Sequence, residues 1–196
     1  MELYLVRHPE TTAPKGLCYG RTDYPLKYSV EETGKKTMAD LPDSFDHMVV
    51  SPAPRAQKLA NYLLSDYQQI FPANKEYETD KRITEMDFGD WEDKYWDDLP
   101  KKDTMPWMKD FVNRRTPNGE AFTDLIARVT LFLEDWKPKG VKNQDWSKQN
   151  GRELSRIIVV CHSGPIRALL CLINSKPFEE AFKMPIEFGS VQKLEL

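Results

Sequence analysis

Short runs of consecutive apolar residues alternate along this chain with stretches whose apolar positions recur at helical spacing. Leu3-Tyr4-Leu5-Val6, Met48-Val49-Val50 and Ile157-Ile158-Val159-Val160 are continuous and rich in strand formers, which suits strands buried on both faces of a sheet. Between them, Ser29 to Glu32 has the S-x-x-E form of a capping box and opens a helix toward Leu41-Pro42. Ser51 with Pro52 supplies a cap and first-turn proline, and Ala56, Leu59, Ala60, Leu63 and Leu64 then follow i, i+3, i+4, i+7, i+8 spacing. Phe122, Leu125, Ile126, Val129, Leu133 and Trp136 predict the longest helix, and Ser163-Gly164-Pro165 turns the third strand into an apolar helix through Leu172. A weaker strand is expected over Tyr77 to Ile83 and a last one over Val191 to Leu196. Strands alternating with amphipathic helices predict a three-layer α/β/α sandwich with a mostly parallel sheet.

Three segments fall outside this alternation. Pro9 to Lys27 reads as a long irregular loop, of a length more often functional than idle. The stretch from Glu85 to Gly119 is dense in aromatics and acids, and most of it, roughly 86–118, is expected to be a helical insertion in a single domain spanning 1–196. Lys137 to Glu153 reads as a polar, mobile loop.

Charge and composition narrow the function. The 196 residues carry 28 basic and 31 acidic side chains, a net charge of -3, which gives no broad basic face for nucleic acid or anionic lipid. Cys18, Cys161 and Cys171 are odd in number and lack C-x-x-C spacing, against both a disulfide framework and a cysteine-built zinc site, so a reducing, cytosolic setting is expected. The first residues lack the apolar stretch of a signal peptide, and no apolar run approaches the ~20 residues of a membrane helix.

In open α/β sheets ligands bind outside the carboxyl ends of the strands. Only three histidines occur, and two of them, His8 and His162, stand at such ends; His47, at a strand's start, is read as structural. Arg7 and Arg55 can reach the same crevice, and the helix starting near Pro165 aims its N-terminal amides there. Singly, each is more often a structural histidine or a surface ion-pair partner. Together they describe a phosphate site.

The motifs carry a resemblance across nearly the whole chain. Leu5-Val6-Arg7-His8, Ser51-Pro52-Ala53-Pro54-Arg55-Ala56, Glu85-Met86-Asp87-Phe88-Gly89-Asp90-Trp91-Glu92 and Val160-Cys161-His162-Ser163-Gly164 follow in the order of the histidine phosphatase superfamily, the phosphoglycerate-mutase-like proteins, which the chain resembles. Within it, the stretch Gly16 to Leu26 and Trp91 to Trp96 followed by Asp97-Asp98-Leu99 are similar to the alpha-ribazole phosphatases of cobalamin nucleotide-loop assembly. The chain departs from the common pattern at Pro9, where a glycine is usual, at Pro14, where many members carry asparagine, and at Ala121, commonly serine.

The resemblance implies a phosphomonoesterase working through phosphohistidine, with alpha-ribazole 5'-phosphate or a cobamide phosphate as substrate. His8 would be the nucleophile, neutral at working pH because the adjacent arginines lower its pKa, with a backbone carbonyl fixing its tautomer. Arg7, Arg55 and His162 would neutralise the phosphate oxygens, a task for which arginine's planar fork is suited. Glu85 would be the general acid, favoured in its protonated form by burial under the aromatic segment, with Asp87 as the fallback. Tyr19, Gly20, Arg21, Ser163 and Trp91 are the expected substrate contacts, with Tyr19 and Tyr24 at the mouth. Phe88, Trp91, Tyr95, Trp96, Trp107 and Phe111 read either as a lid that stacks on a flat heteroaromatic base or as the insertion's own core. No cofactor is called for: the histidines lack metal-ligand spacing, and arginines take the metal's place in this chemistry. The expected partner is a small phosphomonoester. A broad-specificity phosphatase and a phosphoglycerate mutase remain alternatives; a mutase needs C-terminal cover to retain the phosphoryl group, and this chain stops at Leu196, just past its last predicted strand. A non-catalytic module binding phosphate esters is the alternative of another class.

Overall fold

A computed structural model of the chain describes residues 1–70, 76–136 and 156–196. Its centre is a five-stranded sheet of β1 (Glu2–Arg7), β3 (His47–Val50), β4 (Glu78–Thr79), β6 (Arg156–Cys161) and β7 (Val191–Glu195), in the order β4-β3-β6-β1-β7. All neighbours are parallel except β7, which closes one edge antiparallel to β1.

The continuous apolar runs are explained by what lies on each face. Along β1, Leu3 and Leu5 face one hydrophobic cluster while Tyr4 and Val6 face the other. Along β6, Ile157, Val159 and Cys161 alternate with Ile158 and Val160 in the same way. Helices α4 (Phe122–Trp136) and α5 (Ser163–Ile173) pack together on the first face, and α1 (Val30–Met38) and α2 (Pro54–Ile70) on the second. With both faces covered, a polar residue within either strand would lack water, so the runs carry no alternation.

The expected three-layer α/β architecture with a mostly parallel sheet is the one observed, and several boundaries differ from expectation. Helix α2 begins at Pro54, and Ser51 is drawn away from capping by His162, its Oγ accepting only a long 3.4 Å bond from the Ala53 amide. The expected strand over Tyr77 to Ile83 shrinks to Glu78–Thr79, because Asp80 accepts a bond from the Arg82 amide and turns the chain into a short 3-10 turn at Lys81–Ile83. The segment 86–118 is helical only in α3 (Lys101–Lys109); the rest is short 3-10 turns and a two-stranded pairing of β2 (Leu17–Cys18) with β5 (Lys94–Tyr95). The aromatic segment is thereby hydrogen-bonded to the first loop, a long-range pairing that no local periodicity announces. A 3-10 turn at Phe178–Lys183, also unannounced, packs on α5. The polar loop expected over Lys137 to Glu153 lies outside the described residues. No described helix is long and apolar enough to cross a membrane.

Leu5 is fully buried between β6 and β7 in the sheet, whereas Leu131 on α4 is 56% exposed. Leu5→Ala should lower unfolding free energy in urea by about 2–5 kcal/mol through the lost apolar contact and the cavity left behind. Leu131→Ala should stay within about 0.5 kcal/mol. Similar losses for both would contradict this placement of the core.

Candidate active site

Register brings the two strand-end histidines together. Arg7 of β1 lies opposite Cys161 of β6, so the next residues, His8 and His162, leave the sheet side by side with ring centroids 5.0 Å apart. The His8 amide donates back to the Cys161 carbonyl at 3.0 Å and extends the ladder one step past the strand. Both imidazoles are buried.

Their hydrogen bonds assign roles to the ring nitrogens. His8 Nδ1 lies 2.7 Å from the Pro9 carbonyl oxygen. A carbonyl only accepts, so Nδ1 carries the proton and Nε2 keeps its lone pair. On His162, Nε2 lies 2.8 Å from Ser51 Oγ, while Nδ1 is buried without a partner. Burial holds the His8 imidazole well below its ordinary pKa, with the charges of Arg55 and Arg7 adding to the effect. Desolvation thus leads, and the expected lowering by the arginine charges comes second. Burial likewise lowers His162, reinforced by His8 and Arg55.

Two guanidiniums flank the pair. Arg7 donates through Nη1 to the Ile186 carbonyl and lies 3.7 Å over the Phe188 ring. Arg55 is 1% exposed, and it is compensated by the first loop: Nη1 donates to Asp23 Oδ1 at 2.9 Å and to the Thr22 carbonyl at 3.0 Å, and Nη2 to the Gly20 carbonyl at 2.6 Å. Nε of each is buried and has no partner among the described residues. Buried N–H groups are rarely left orphaned, so these two Nε–H donors call for an acceptor; with the Ser51 hydroxyl donating to Nε2, His162 Nδ1 carries a proton and joins them.

Glu85 closes the far side. Its carboxylate accepts from the Gly164 amide at 3.1 Å, from the Met86 amide at 2.9 Å and from Ser163 Oγ at 3.2 Å, so it sits at the N-terminus of α5. It is only half-buried, less than the burial under the aromatic segment that was expected. Its backbone is fixed by Arg128 of α4, whose Nη2 donates to the Glu85 carbonyl at 2.9 Å and whose Nη1 donates to those of Thr84 and Arg82 at 2.7 and 2.6 Å. Both Glu120 oxygens accept from the same guanidinium at 3.1 Å. Arg128 was not legible in the sequence, where it appears as one cation on an amphipathic helix.

A cleft lined by Arg7, His8, Arg55, Glu85, Ser163 and Gly164 results, with walls from Leu17, Tyr19, Met86, Phe88, Trp96, Phe122 and Phe182. Of the expected substrate contacts, Tyr19 and Ser163 are at the cleft. Arg21 is not: its guanidinium is engaged by Asp87 at 3.1 Å and Glu120 at 2.9 Å. The pairing also occupies Asp87, which removes the fallback acid. Gly20 is a packing position, where a Cβ would come within 2.0 Å of the Met86 carbonyl oxygen. Trp91 is 3% exposed and packs edge-on against Trp96 and Trp107, so it belongs to the core. Tyr24 donates to Asp93 at 2.6 Å and reaches the cleft only by its edge contact with Tyr19. The two readings of the aromatic segment therefore divide by residue: Phe88 and Trp96 face the cleft, while Trp91, Trp107 and Phe111 pack within the core. Arg167 and Phe182 also line the cleft and went unnoticed in sequence, Arg167 because it follows the histidine motif inside an apolar helix.

The description "Histidine phosphatase superfamily (branch 1)" matches residues 3–196. The chain belongs to this family. It is 29% identical to the adenosylcobalamin/alpha-ribazole phosphatase of Escherichia coli (strain K12), over 96% of this chain and 87% of that protein. It is 27% identical to the putative phosphoserine phosphatase 2 of Hydrogenobacter thermophilus, over 99% of this chain and 89% of the relative. The crystal structure of the alpha-ribazole phosphatase from Shigella flexneri superposes with a TM-score of 0.79 at 26% identity, covering 100% of this chain and 91% of that one.

The depressed histidines tie stability to pH. In the unfolded chain each titrates near ~6.5, whereas in the folded chain each stays neutral further down. Below that value the unfolded chain binds protons the folded one refuses, so stability is complete above about pH 6.5 and is lost as pH falls toward the folded values. Melting temperature should decline from about pH 7 to about pH 5, and less steeply in His8→Asn, which removes one of the two sites. Identical slopes would show that His8 titrates normally in the folded state.

Proposed function

We propose that this chain is a phosphomonoesterase that hydrolyses alpha-ribazole 5'-phosphate or the corresponding cobamide phosphate through a phosphohistidine on His8. The observation that carries the reading is the tautomer of His8: with Nδ1–H committed to the Pro9 carbonyl, the Nε2 lone pair is the nucleophile, in a buried ring flanked by two guanidiniums.

In the first step Nε2 attacks phosphorus, the P–N bond forms and the bond to the ester oxygen breaks. Arg7, Arg55 and His162, whose buried Nε and Nδ1 atoms want acceptors, hold the equatorial oxygens as charge moves onto them. A proton on Glu85 passes to the departing alkoxide. In the second step Glu85 takes a proton from water, the water oxygen attacks phosphorus, the P–N bond breaks and inorganic phosphate leaves. Ser163 and the amides of Met86 and Gly164 hold the carboxylate through both transfers. The alcohol leaves along walls formed by Tyr19, Phe88, Trp96 and Phe182, rings able to pack on a flat base.

The relatives named as alpha-ribazole phosphatases support the substrate, and a phosphate-release assay decides it. Alpha-ribazole 5'-phosphate should be hydrolysed with a higher kcat/KM than sugar phosphates or 3-phosphoglycerate; a preference for the latter would overturn the substrate assignment. His8→Ala should abolish both turnover and acid-labile phosphoryl labelling while keeping the fold. Arg55→Lys should lower turnover by roughly 100-fold or more, since a point charge cannot replace the planar fork that also binds Gly20, Thr22 and Asp23. Residual labelling in His8→Ala would rule out the mechanism.

A further inference from the structure

Among the described residues, Arg21, Arg55, Arg82, Arg115, Arg128 and Arg156 each have a carboxylate partner. Arg114 has none and lies on the surface. The two remaining described arginines without one, Arg7 and Arg167, both line the cleft. The chemistry proposed above uses Arg7 and leaves Arg167 without a task.

Arg167 is held in a defined place. It lies on α5, its Nε donates to the Met184 carbonyl at 3.0 Å, and its guanidinium carbon is 5.5 Å from the centroid of the Phe182 ring. Neither Nη atom has a hydrogen-bond partner among the described residues. The carboxylate that acts on it electrostatically is Glu85, whose oxygens are already engaged by Met86, Ser163 and Gly164 and make no ion pair with it. A half-buried guanidinium pinned by one edge and free at the other presents two parallel donors to whatever enters beside Phe182. That geometry matches a carboxylate or phosphate oxygen pair.

We propose that Arg167 reads a second anionic group on the leaving alcohol, so that between two phosphomonoesters otherwise alike the cleft favours the one whose alcohol carries a carboxylate or a further phosphate. The inference rests on the reading of the cleft as a phosphomonoester site. A cobamide phosphate, which carries a phosphodiester beside its ribose, fits it better than free alpha-ribazole 5'-phosphate, an otherwise uncharged nucleoside.

Matched substrate pairs test it. Phosphoserine and phosphoethanolamine differ by one carboxylate, and adenosine 5'-phosphate differs by one phosphodiester from the same nucleotide bearing a 3'-methylphosphate. In at least one pair the wild-type enzyme should favour the anionic member by about tenfold or more in kcat/KM, the worth of a charge-assisted hydrogen bond. Arg167→Gln should collapse that ratio, mainly through KM, and Arg167→Lys should retain part of it, which also guards against a variant that fails to fold. A ratio near one in both wild-type pairs overturns the proposal. So does an Arg167→Gln variant that loses both members of a pair equally with a displaced pH profile, since Arg167 would then act through Glu85. Phosphoryl labelling of His8 separates the two readings: labelling with flat ratios refutes only the second-anion subsite, whereas absent labelling refutes the phosphatase mechanism itself.

Discussion

The parallel pairing of β1 with β6 is the constraint on which the site depends. Because Arg7 sits opposite Cys161, the residues that follow emerge as neighbours, and two imidazoles from positions 8 and 162 share one crevice. A slip of one residue would part them by about 3.3 Å along the strands and would draw a charged strand-end residue, Glu2 or Arg156, toward the apolar interior. The same hydrophobic burial that fixes the sheet therefore fixes the distance between the two imidazoles. The neighbouring strand β3 adds Ser51, whose amide bonds the Val160 carbonyl at 2.9 Å and whose hydroxyl reaches His162.

Concentrating cations in a buried crevice carries a desolvation cost, and the loops offset it. Arg55 is almost wholly removed from water, yet two backbone carbonyls and Asp23 engage its Nη groups. Glu92 holds that loop in turn, accepting from the amides of Arg21 and Thr22 at 2.9 and 2.7 Å and from the Phe88 amide at 3.1 Å. Burial alone would raise the Glu92 pKa, but the Thr22 hydroxyl and these amides more than reverse it and favour the carboxylate. The aromatic segment thus shapes the cleft indirectly, by anchoring the loop that compensates Arg55, as well as directly through the walls supplied by Phe88 and Trp96.

A second network works on Glu85. Glu120 joins Arg21, Arg128 and the Asp87 amide, and Arg128 bonds the carbonyls of three residues leading into Glu85. All five N–H directions of that guanidinium are used, a pattern lysine cannot reproduce. Glu85 is thus carried on a segment without regular secondary structure that Arg128 ties to α4.

The sequence by itself determined the strands and helices whose periodicity is local, and hence the layered α/β order with histidines at two strand ends. Runs such as Leu3 to Val6 send alternate residues into the two clusters, and Arg7-His8 follow at the strand end. The motif order also identified the family and nominated Arg7, His8, Tyr19, Arg55, Glu85 and Ser163, which the cleft gathers. What only the tertiary structure decided were contacts between segments far apart in the chain: β2 with β5, Arg21 with Asp87 and Glu120, Arg128 with the Glu85 carbonyl, and the placing of Arg167 and Phe182 at the cleft. Arg21 lies in a polar loop and Arg167 inside an apolar helix, yet nothing in their neighbours along the chain says which distant carboxylates each one meets. That depends on which groups the packed core brings within a few ångströms, a property of three dimensions that spacing along one cannot encode.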